Sequence, residues 1–512
     1  PPAPSPAPGE LMRRAPFAVV AAVASTLSAA LGGPLTGPGS DSAAGQGRPL
    51  VLISPDYRHV VGAQAAPPTT AFCEKHFGIA CYLPRQVQRA YRLPALYRRG
   101  VTGKGQTIVI VDSYGSPAVA RDLAVFDKAA GLPAPPSLRI IQPAGKVPPY
   151  RANDDREGWA GETELDVEYA HAIAPGARIL LVETPTSENE GRTGFPAIVK
   201  AEKYVIDRHL GSVISQSFST TEQSFSKPSR LLSLRGPYKD AYRHRVTVLA
   251  ASGDSGAADV KYDGSTYFRR PVTSWPDSDP LVTGVGGTQL HLTARGGAGQ
   301  GGRPPGNPRG ATRPASVWND TYNAATNEFI FGDRGPNPLA SGGGRSVIFA
   351  RPGYQSRVRG IVGSHRGVPD ISMSGACNGG VDMYQSFKGQ PAGWYPTCGT
   401  SEATPEFAGI VALADQAAHR RLGLLNPDLY LLSAARARGI VDVTRGNTAV
   451  SFRQGPGNRL FRVKGAAARR GYDLASGVGT VNAPALVAEL AAMAKRPNWT
   501  AREFRLGLAK LP

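Results

Sequence analysis

The stretch Gly399-Thr400-Ser401-Glu402-Ala403-Thr404-Pro405 leads into apolar positions Phe407, Ile410, Val411 and Ala414, which recur with helical spacing. Ser401 therefore stands at a helix start. There, unpaired backbone N–H groups and the positive end of the helix dipole favour negative charge growing on a substrate carbonyl. A plain N-cap serine would sit at the same position, so the spacing alone leaves nucleophile and cap both open. The glycine before it and Pro405 after it favour the nucleophile.

A nucleophilic serine needs a base, usually histidine. The eight histidines are His59, His76, His171, His209, His244, His291, His365 and His419. None lies in a His-Gly-Thr-His setting, and a histidine base looks absent. Carboxylates offer the alternative. In Gly161-Glu162-Thr163-Glu164-Leu165-Asp166-Val167-Glu168, a helix would put Glu162 and Asp166, four residues apart, on one face. Two carboxyls held close resist double ionisation, so one can accept a proton from a serine. Glu164 and Glu168 form a second pair pointing elsewhere, and on spacing alone a solvated acidic face is the plainer reading. A third element, Val248-Leu249-Ala250-Ala251-Ser252-Gly253-Asp254-Ser255-Gly256, is a buried strand ending in an acid flanked by glycines. Turn chemistry explains such an acid; kept neutral, Asp254 could also donate a hydrogen bond to an oxyanion. Asp112, at the end of another apolar strand, is open to two readings, turn cap or extension of the carboxyl network.

The elements that must hold these residues alternate. Thr107–Val111 is a continuous apolar run of the kind buried on both sheet faces, and similar runs recur at Ile179–Val182, Val213–Ser215 and Val246–Ala250. Helical spacing of Phe195, Ile198, Val199, Val205 and Ile206 lies between two of them, closed by His209-Leu210-Gly211. Strand and helix in turn predict an α/β fold, a mostly parallel sheet with helices on both faces and its site at the carboxyl ends of the strands. The Gly-, Pro- and Arg-dense stretch Arg295–Pro314 reads as an exposed insertion, and no internal repeat is found.

Composition bounds the setting. The chain has 512 residues, 41% of them hydrophobic, with 61 glycines and 45 prolines that imply many turns and long loops. Met12-Arg13-Arg14 before the alanine-rich apolar run Ala15–Leu31 has a signal peptide's layout. This divides the chain into a leader and signal over 1–32, a low-complexity linker or short pro-segment over 33–72, a main domain over 73–497 and a tail over 498–512. No later segment is apolar for long enough to cross a bilayer, so a secreted product without a membrane partner is expected. The four cysteines suit that compartment, and two local disulfides are expected, Cys73–Cys81 and Cys377–Cys398. The net charge of +19 would draw nucleic acid if it were concentrated. The densest basic stretches, Arg98–Lys104 and Arg462–Arg470, are short and lack interleaved aromatics, so nucleic acid is not an expected partner.

Together, Gly399-Thr400-Ser401 with Pro405, Glu162 with Asp166, and Ser252–Gly256 resemble the motifs of the sedolisins, the serine-carboxyl peptidases, and the resemblance runs from about Cys81 to about Pro484. It implies a subtilisin-like fold, Ser401 as nucleophile, Glu162 as base, Asp166 orienting it and Asp254 in the oxyanion hole. It also implies that Ser215, Ser217 and Ser219 line the substrate cleft, with Ser219 where glycine is usual. One structural calcium ion is implied as well, held by carboxylates of Asp442 and Asp473 and carbonyls of Val443, Arg469 and Gly471, oxygen ligands that suit calcium. Sedolisins are typically made with a large folded propeptide, and only the short 33–72 stretch stands in that place here. The resulting expectation is a monomeric secreted endopeptidase cleaving protein or peptide substrates at acidic pH through an acyl-enzyme on Ser401. A tripeptidyl exopeptidase is the nearest alternative, and a noncatalytic binding protein on the same fold comes from a different class.

Overall fold

Apolar, β-branched runs without polar alternation satisfy both their side chains and their backbone inside a covered sheet. The computed structural model, which describes residues 56–152, 154–187, 194–261, 266–292 and 314–495, builds that sheet. Its seven parallel strands are β1 (Thr107–Ser113), β2 (Leu138–Ile141), β3 (Arg178–Thr184), β4 (Val213–Gln216), β5 (Thr247–Ala251), β6 (Thr283–Gln289) and β7 (Ile371–Ser374). Their spatial order is β2-β3-β1-β4-β5-β6-β7, and a short antiparallel strand, Ser316–Val317, pairs with the end of β6. The architecture is the mostly parallel α/β sheet with helices on both faces that the alternation of elements predicts.

The four apolar runs become β1, β3, β4 and β5, and the periodic segment becomes the helix Phe195–Asp207. The other three strands carried no such signal. β2 is an edge strand whose residues are half-buried or exposed. β6 reads Thr-Gly-Val-Gly-Gly-Thr-Gln because its neighbours press on its backbone: a Cβ on Gly286 would lie 2.6 Å from Ser372 Oγ, and one on Gly287 would lie 2.7 Å from the Trp318 ring. A strand packed that tightly has no room for the bulk that announces a strand.

Two long helices carry the chemistry-bearing residues. Helix α1 (Asp154–Ile173) connects β2 to β3, and helix α2 (Thr400–Ala418) packs against it and beneath β4, β5, β6 and β7. The helices meet closely because Gly409 of α2 faces Ile173 of α1, where a Cβ would come within 2.6 Å of the isoleucine. Ala483–Ala494 packs on α2 from outside, while Phe195–Asp207 and Gly236–His244 form a second layer on the sheet. α1 is buried all round: Leu165, Val167, Tyr169 and Ile173 are fully covered, and so are Glu162, Glu164, Asp166 and Glu168. The solvated acidic face that spacing alone suggested is therefore absent, because α1 lies between sheet and helices on every side.

A smaller sheet delivers Ser401. Gly380–Gln385 and Gly393–Cys398 form an antiparallel hairpin, and the second strand runs directly into Gly399. Asp56–Tyr57 and Val61–Gly62 pair with that second strand, and Cys81–Tyr82 runs parallel to the first. Both disulfides are formed: Cys73–Cys81 ties the helix Thr70–Phe77 to this sheet, and Cys377–Cys398 anchors the strand before the serine. The leader over 1–32, the linker as far as residue 55, the insertion up to residue 313 and the tail over 498–512 lie outside the described residues. Among the described residues no helix is long and apolar enough to cross a membrane.

Candidate active site

The residues singled out in separate motifs converge at the carboxyl ends of the parallel strands. Asp112 sits near the end of β1, Glu183 near the end of β3, Ser217 follows β4 and Asp254 follows β5. Glu162 and Asp166 project from the middle of α1, and Ser401 occupies the first turn of α2. Ser401, Glu162, Asp166 and Asp112 are fully buried, whereas Asp254 is partly open to solvent. These groups are thus shielded from bulk water, which strengthens every charge interaction among them.

The start of α2 is built to hold Asp254. Gly399 has φ 128°, a backbone open to glycine, and a Cβ there would lie 2.8 Å from Asp254 Oδ2. The Thr400 N–H and Thr400 Oγ both donate to Asp254 Oδ1 at 2.7 Å, and the Gly253 N–H donates to Thr400 Oγ at 3.1 Å. These bonds use one carboxyl oxygen and leave Oδ2 without a hydrogen-bond partner from Thr400. Pro405, lacking an N–H, cannot bond back to the carbonyl of Ser401 four residues earlier. The Ser217 hydroxyl stands 3.4 Å from that carbonyl and donates to Asp166 Oδ1 at 2.8 Å. Proline, an odd choice inside a helix, thus leaves free a carbonyl that faces the acidic pair's own partner.

Electrostatics set the protonation of the cluster. Burial pushes the Glu162 carboxyl well up, the nearby Asp166 and Asp112 charges add to the rise, and the Ser401 hydroxyl opposes it. No hydrogen bond of regular geometry joins Ser401 Oγ to Glu162, so the two groups face each other with the contact still to tighten. Asp166 is raised by burial and by Asp112, and lowered by Ser217. Burial takes Asp112 up to about 7, against the Thr163 hydroxyl and helped by Glu183. Burial takes Asp254 up to about 6, against the two Thr400 bonds. No Lys or Arg forms an ion pair with any of these four acids among the described residues. Protons, not cations, are therefore what can lower the charge of the cluster, and the coupled Glu162–Asp166 pair can hold one proton between them while keeping one negative charge.

His171 sits on α1, yet its ring contacts the Pro133 carbonyl at 2.8 Å and Asp127 at 3.3 Å, away from Ser401. Of the three serines assigned to the substrate cleft, all are buried; Ser217 is bonded to Asp166, and the hydroxyls of Ser215 and Ser219 have no hydrogen-bond partner among the described residues. Sequence reading missed Ser217 as the partner of Asp166 and Thr400 as the holder of Asp254. A hydroxyl next to each motif acid was visible in the sequence, but only three-dimensional pairing assigns it. The second acidic pair is accounted for locally: Ser116 donates to Glu164 at 2.5 Å, and the Tyr384 N–H to Glu168 at 3.1 Å.

Later in the chain, Asp442 and Asp473 converge on the turn 469–473. The Gly471 N–H donates to both Asp442 oxygens at 3.1 and 3.0 Å, and the Arg469 N–H donates to Asp473 Oδ2 at 2.7 Å. Asp473 Oδ1 accepts from Ala475 and Ser476 N–H at 2.9 and 2.8 Å. Burial raises both acids, and neither has an ion-pair partner among the described residues, although the Arg470 charge bears on Asp442. Two anionic side chains oriented by N–H groups, beside the backbone of Val443, Arg469 and Gly471, are a donor set that fits an oxygen-seeking cation such as calcium.

Residues 152–457 match the family model described as the subtilase family. Kumamolisin from Bacillus sp. (strain MN-32) is 30% identical over 405 residues, 78% of this chain and 62% of that protein. Sedolisin from Pseudomonas sp. (strain 101) is 29% identical over 351 residues, 68% of this chain and 53% of its own length. Human tripeptidyl-peptidase 1 is 28% identical over 349 residues, 65% and 52% of the two chains. The chain thus spans between half and about three-fifths of the length of these relatives. Among solved structures, Pseudomonas sedolisin, a serine-carboxyl proteinase complexed with two molecules of pseudo-iodotyrostatin, superimposes with a TM-score of 0.64 at 26% identity, covering 81% of this chain and 99% of that one.

The buried acids have a consequence for stability. Glu162, Asp166, Glu164, Glu168, Glu402 and Glu406 are all raised, chiefly by burial. A carboxyl whose folded pKa exceeds its unfolded value binds its proton more tightly in the folded state. Its contribution is complete below the unfolded pKa of about 4 and is lost as pH rises through the raised value. The melting temperature should therefore fall by several degrees between pH 4.5 and pH 8 in calorimetry; a rise over that window would show that these acids are not held neutral.

Proposed function

The chain belongs to the subtilase family, on its sedolisin side, and from that premise we propose that it is a secreted serine-carboxyl endopeptidase that works in acid. The observation that carries the reading is the buried Glu162, beside Asp166 and Ser401, with no histidine hydrogen-bonded to Ser401 among the described residues. In this mechanism Glu162 takes the Ser401 proton as Oγ adds to the substrate carbonyl, and Asp166, held by Ser217, orients Glu162 and shares its negative charge. The new oxyanion accepts a hydrogen bond from neutral Asp254 and lies at the positive end of α2. Collapse of the intermediate breaks the C–N bond, with Glu162 returning the proton to the leaving amine. Water, deprotonated by Glu162, then cleaves the acyl-enzyme and restores Ser401.

The likeness to tripeptidyl-peptidase 1 keeps tripeptidyl exopeptidase action as the second reading. Digestion of a peptide library followed by mass spectrometry separates the two, because internal cuts mark an endopeptidase and serial tripeptide release marks the other. Ser401→Ala should reduce cleavage by at least about 10³-fold while leaving the melting temperature within a degree or two. Turnover retained in that variant would end the assignment, and a wild-type chain that binds peptides without cutting any would leave a binding protein.

The rate should also report the oxyanion donor. Asp254 donates only while protonated and rises to about 6, so kcat/KM for an uncharged peptide should fall as pH climbs through that value. A profile rising to pH 8 would point to a histidine base instead.

We assign calcium to Asp442 and Asp473 with the carbonyls of Val443, Arg469 and Gly471. There the ion would balance the two carboxylates and tie the segment after Val441 to the turn before Leu474, with no part in the chemistry. An ion bound only by the native state stabilises it by mass action. Chelation should lower the melting temperature and added calcium should restore it. An unchanged melting curve, with no calcium found by elemental analysis, would remove the ion from this account.

A further inference from the structure

The strand that delivers the nucleophile has a free edge, and residues 56–62 cover it. Asp56 and Tyr57 pair with Cys398 and Thr397, and Val61 and Gly62 pair with Trp394 and Gly393. Between these pairs the Val60 N–H donates to the Trp394 carbonyl at 3.1 Å, and Trp394 Nε1 donates to the Ala65 carbonyl at 3.1 Å. Arg58 donates to the Phe329 carbonyl at 3.0 Å, which anchors the segment on the helix Ala324–Phe331. Thr397 lies four residues before Ser401 in the chain. Residues 56–62 are therefore a strap along the last stretch of backbone before the serine.

Tyr57 carries the strap across to the other half of the site. Its ring stands edge-on to the ring of Tyr395, 5.6 Å away, on the strand that its own backbone pairs with. The same ring lies against α1 at Gly161, the residue directly before Glu162: a Cβ there would come within 2.7 Å of Tyr57 Cε1 and 2.8 Å of its Oη. Glycine inside a helix is unfavourable, and here the missing side chain is what lets ring and helix backbone touch. α1 bonds the first strand of the hairpin by itself, with the Tyr169 hydroxyl donating to the Asp382 carbonyl at 2.8 Å and Glu168 accepting from the Tyr384 N–H. Tyr57 supplies a link to the second strand, the one that runs into Ser401.

We propose that Tyr57 is a positioning residue of the peptidase site, whose ring sets the spacing between the strand that carries Ser401 and the turn of α1 that carries Glu162. The inference rests on the peptidase reading above. Ser401 Oγ and Glu162 face each other without a hydrogen bond of regular geometry, so the rate depends on how closely two separate elements are held. A misplacement of about 1 Å can cost about 10²-fold in rate. Shape is what this role needs, so phenylalanine would serve it and leucine, which is shorter, would not. Residues 56–62 fall within the 33–72 stretch that the sequence assigns to a linker or pro-segment, and on this account they must stay with the mature enzyme.

The test compares kcat and KM of the full chain on one peptide at pH 4.5, well below the melting temperature of every variant used. Tyr57→Leu should lower kcat by about 10- to 10²-fold with KM within about twofold, and Tyr57→Phe should keep the wild-type values. His59→Ala removes the strap's other ring on Tyr395, at 5.1 Å, and should lower the melting temperature while keeping kcat. Gly161→Ala sets a methyl against the Tyr57 ring, so it should slow turnover on its own and add no further loss to Tyr57→Leu. Losses that multiply in the double variant would overturn the proposal, and so would an equal loss of kcat in His59→Ala. Should Tyr57→Leu not fold, Gly161→Ala, a change that favours the helix, decides alone: lower kcat at unchanged KM and melting temperature supports the spacing role, and wild-type kcat overturns it. A wild-type chain that cuts no peptide would overturn the peptidase reading and this inference with it, whereas cleavage with wild-type kcat in Tyr57→Leu would overturn this inference alone.

Discussion

Four carboxyls, those of Glu162, Asp166, Asp112 and Asp254, stand around one serine hydroxyl with no cation paired to any of them among the described residues. Burial without a counter-ion penalises the charged form of each, and crowding penalises it again. Much of the surrounding structure follows from keeping such a cluster intact. α1 must be enclosed on all sides, which Gly409 permits by letting α2 approach Ile173. The turn into α2 must leave room for Asp254, which Gly399 does, and must hold that acid by one oxygen, which Thr400 does. In the proposed mechanism a carboxyl pair takes the place of a histidine base, and burial of that pair becomes part of how it would work.

The same physics reaches beyond the reacting groups. Glu164 and Glu168 lie on α1, and Glu402 and Glu406 on α2, all four fully buried. Ser116 and Tyr384 supply single hydrogen bonds where a salt bridge would otherwise be expected. Elsewhere the fold does use buried ion pairs, Arg235 with Asp279 at 2.6 Å and Arg366 with Asp370 at 2.5 Å. The contrast is spatial. Cations neutralise acids beneath β6 and β7, and protons neutralise them along α1 and α2.

Legibility in the sequence followed the same division. β1, β3, β4 and β5 were readable because covered parallel strands are written in continuous apolar residues, and Ser401 and Asp254 because each is framed by glycines that the backbone requires. β6 was silent because close packing had replaced its side chains with glycine. The acidic segment misled in part: Glu162 and Asp166 were correctly placed on one face, yet charge on a helix also reads as solvation, and only the packing of α1 decides between the two. Ser217 shows the limit most plainly. Its type and position suit a cleft wall, but its hydroxyl turns to Asp166. Local sequence holds no record of that turn, since it depends on a helix that begins more than sixty residues earlier.

The central claim is that Ser401 is activated by Glu162 and not by a histidine. The rate of covalent labelling of Ser401 by a fluorophosphonate probe, measured at pH 4.5 in wild type, Glu162→Gln and His171→Ala, tests it at the first chemical step and without regard to which peptides are cut. The amide keeps the shape of Glu162 but cannot take the serine proton, so labelling should slow by about 10²–10⁴-fold in that variant and stay close to wild type in His171→Ala. Labelling that survives Glu162→Gln and collapses in His171→Ala would contradict the account.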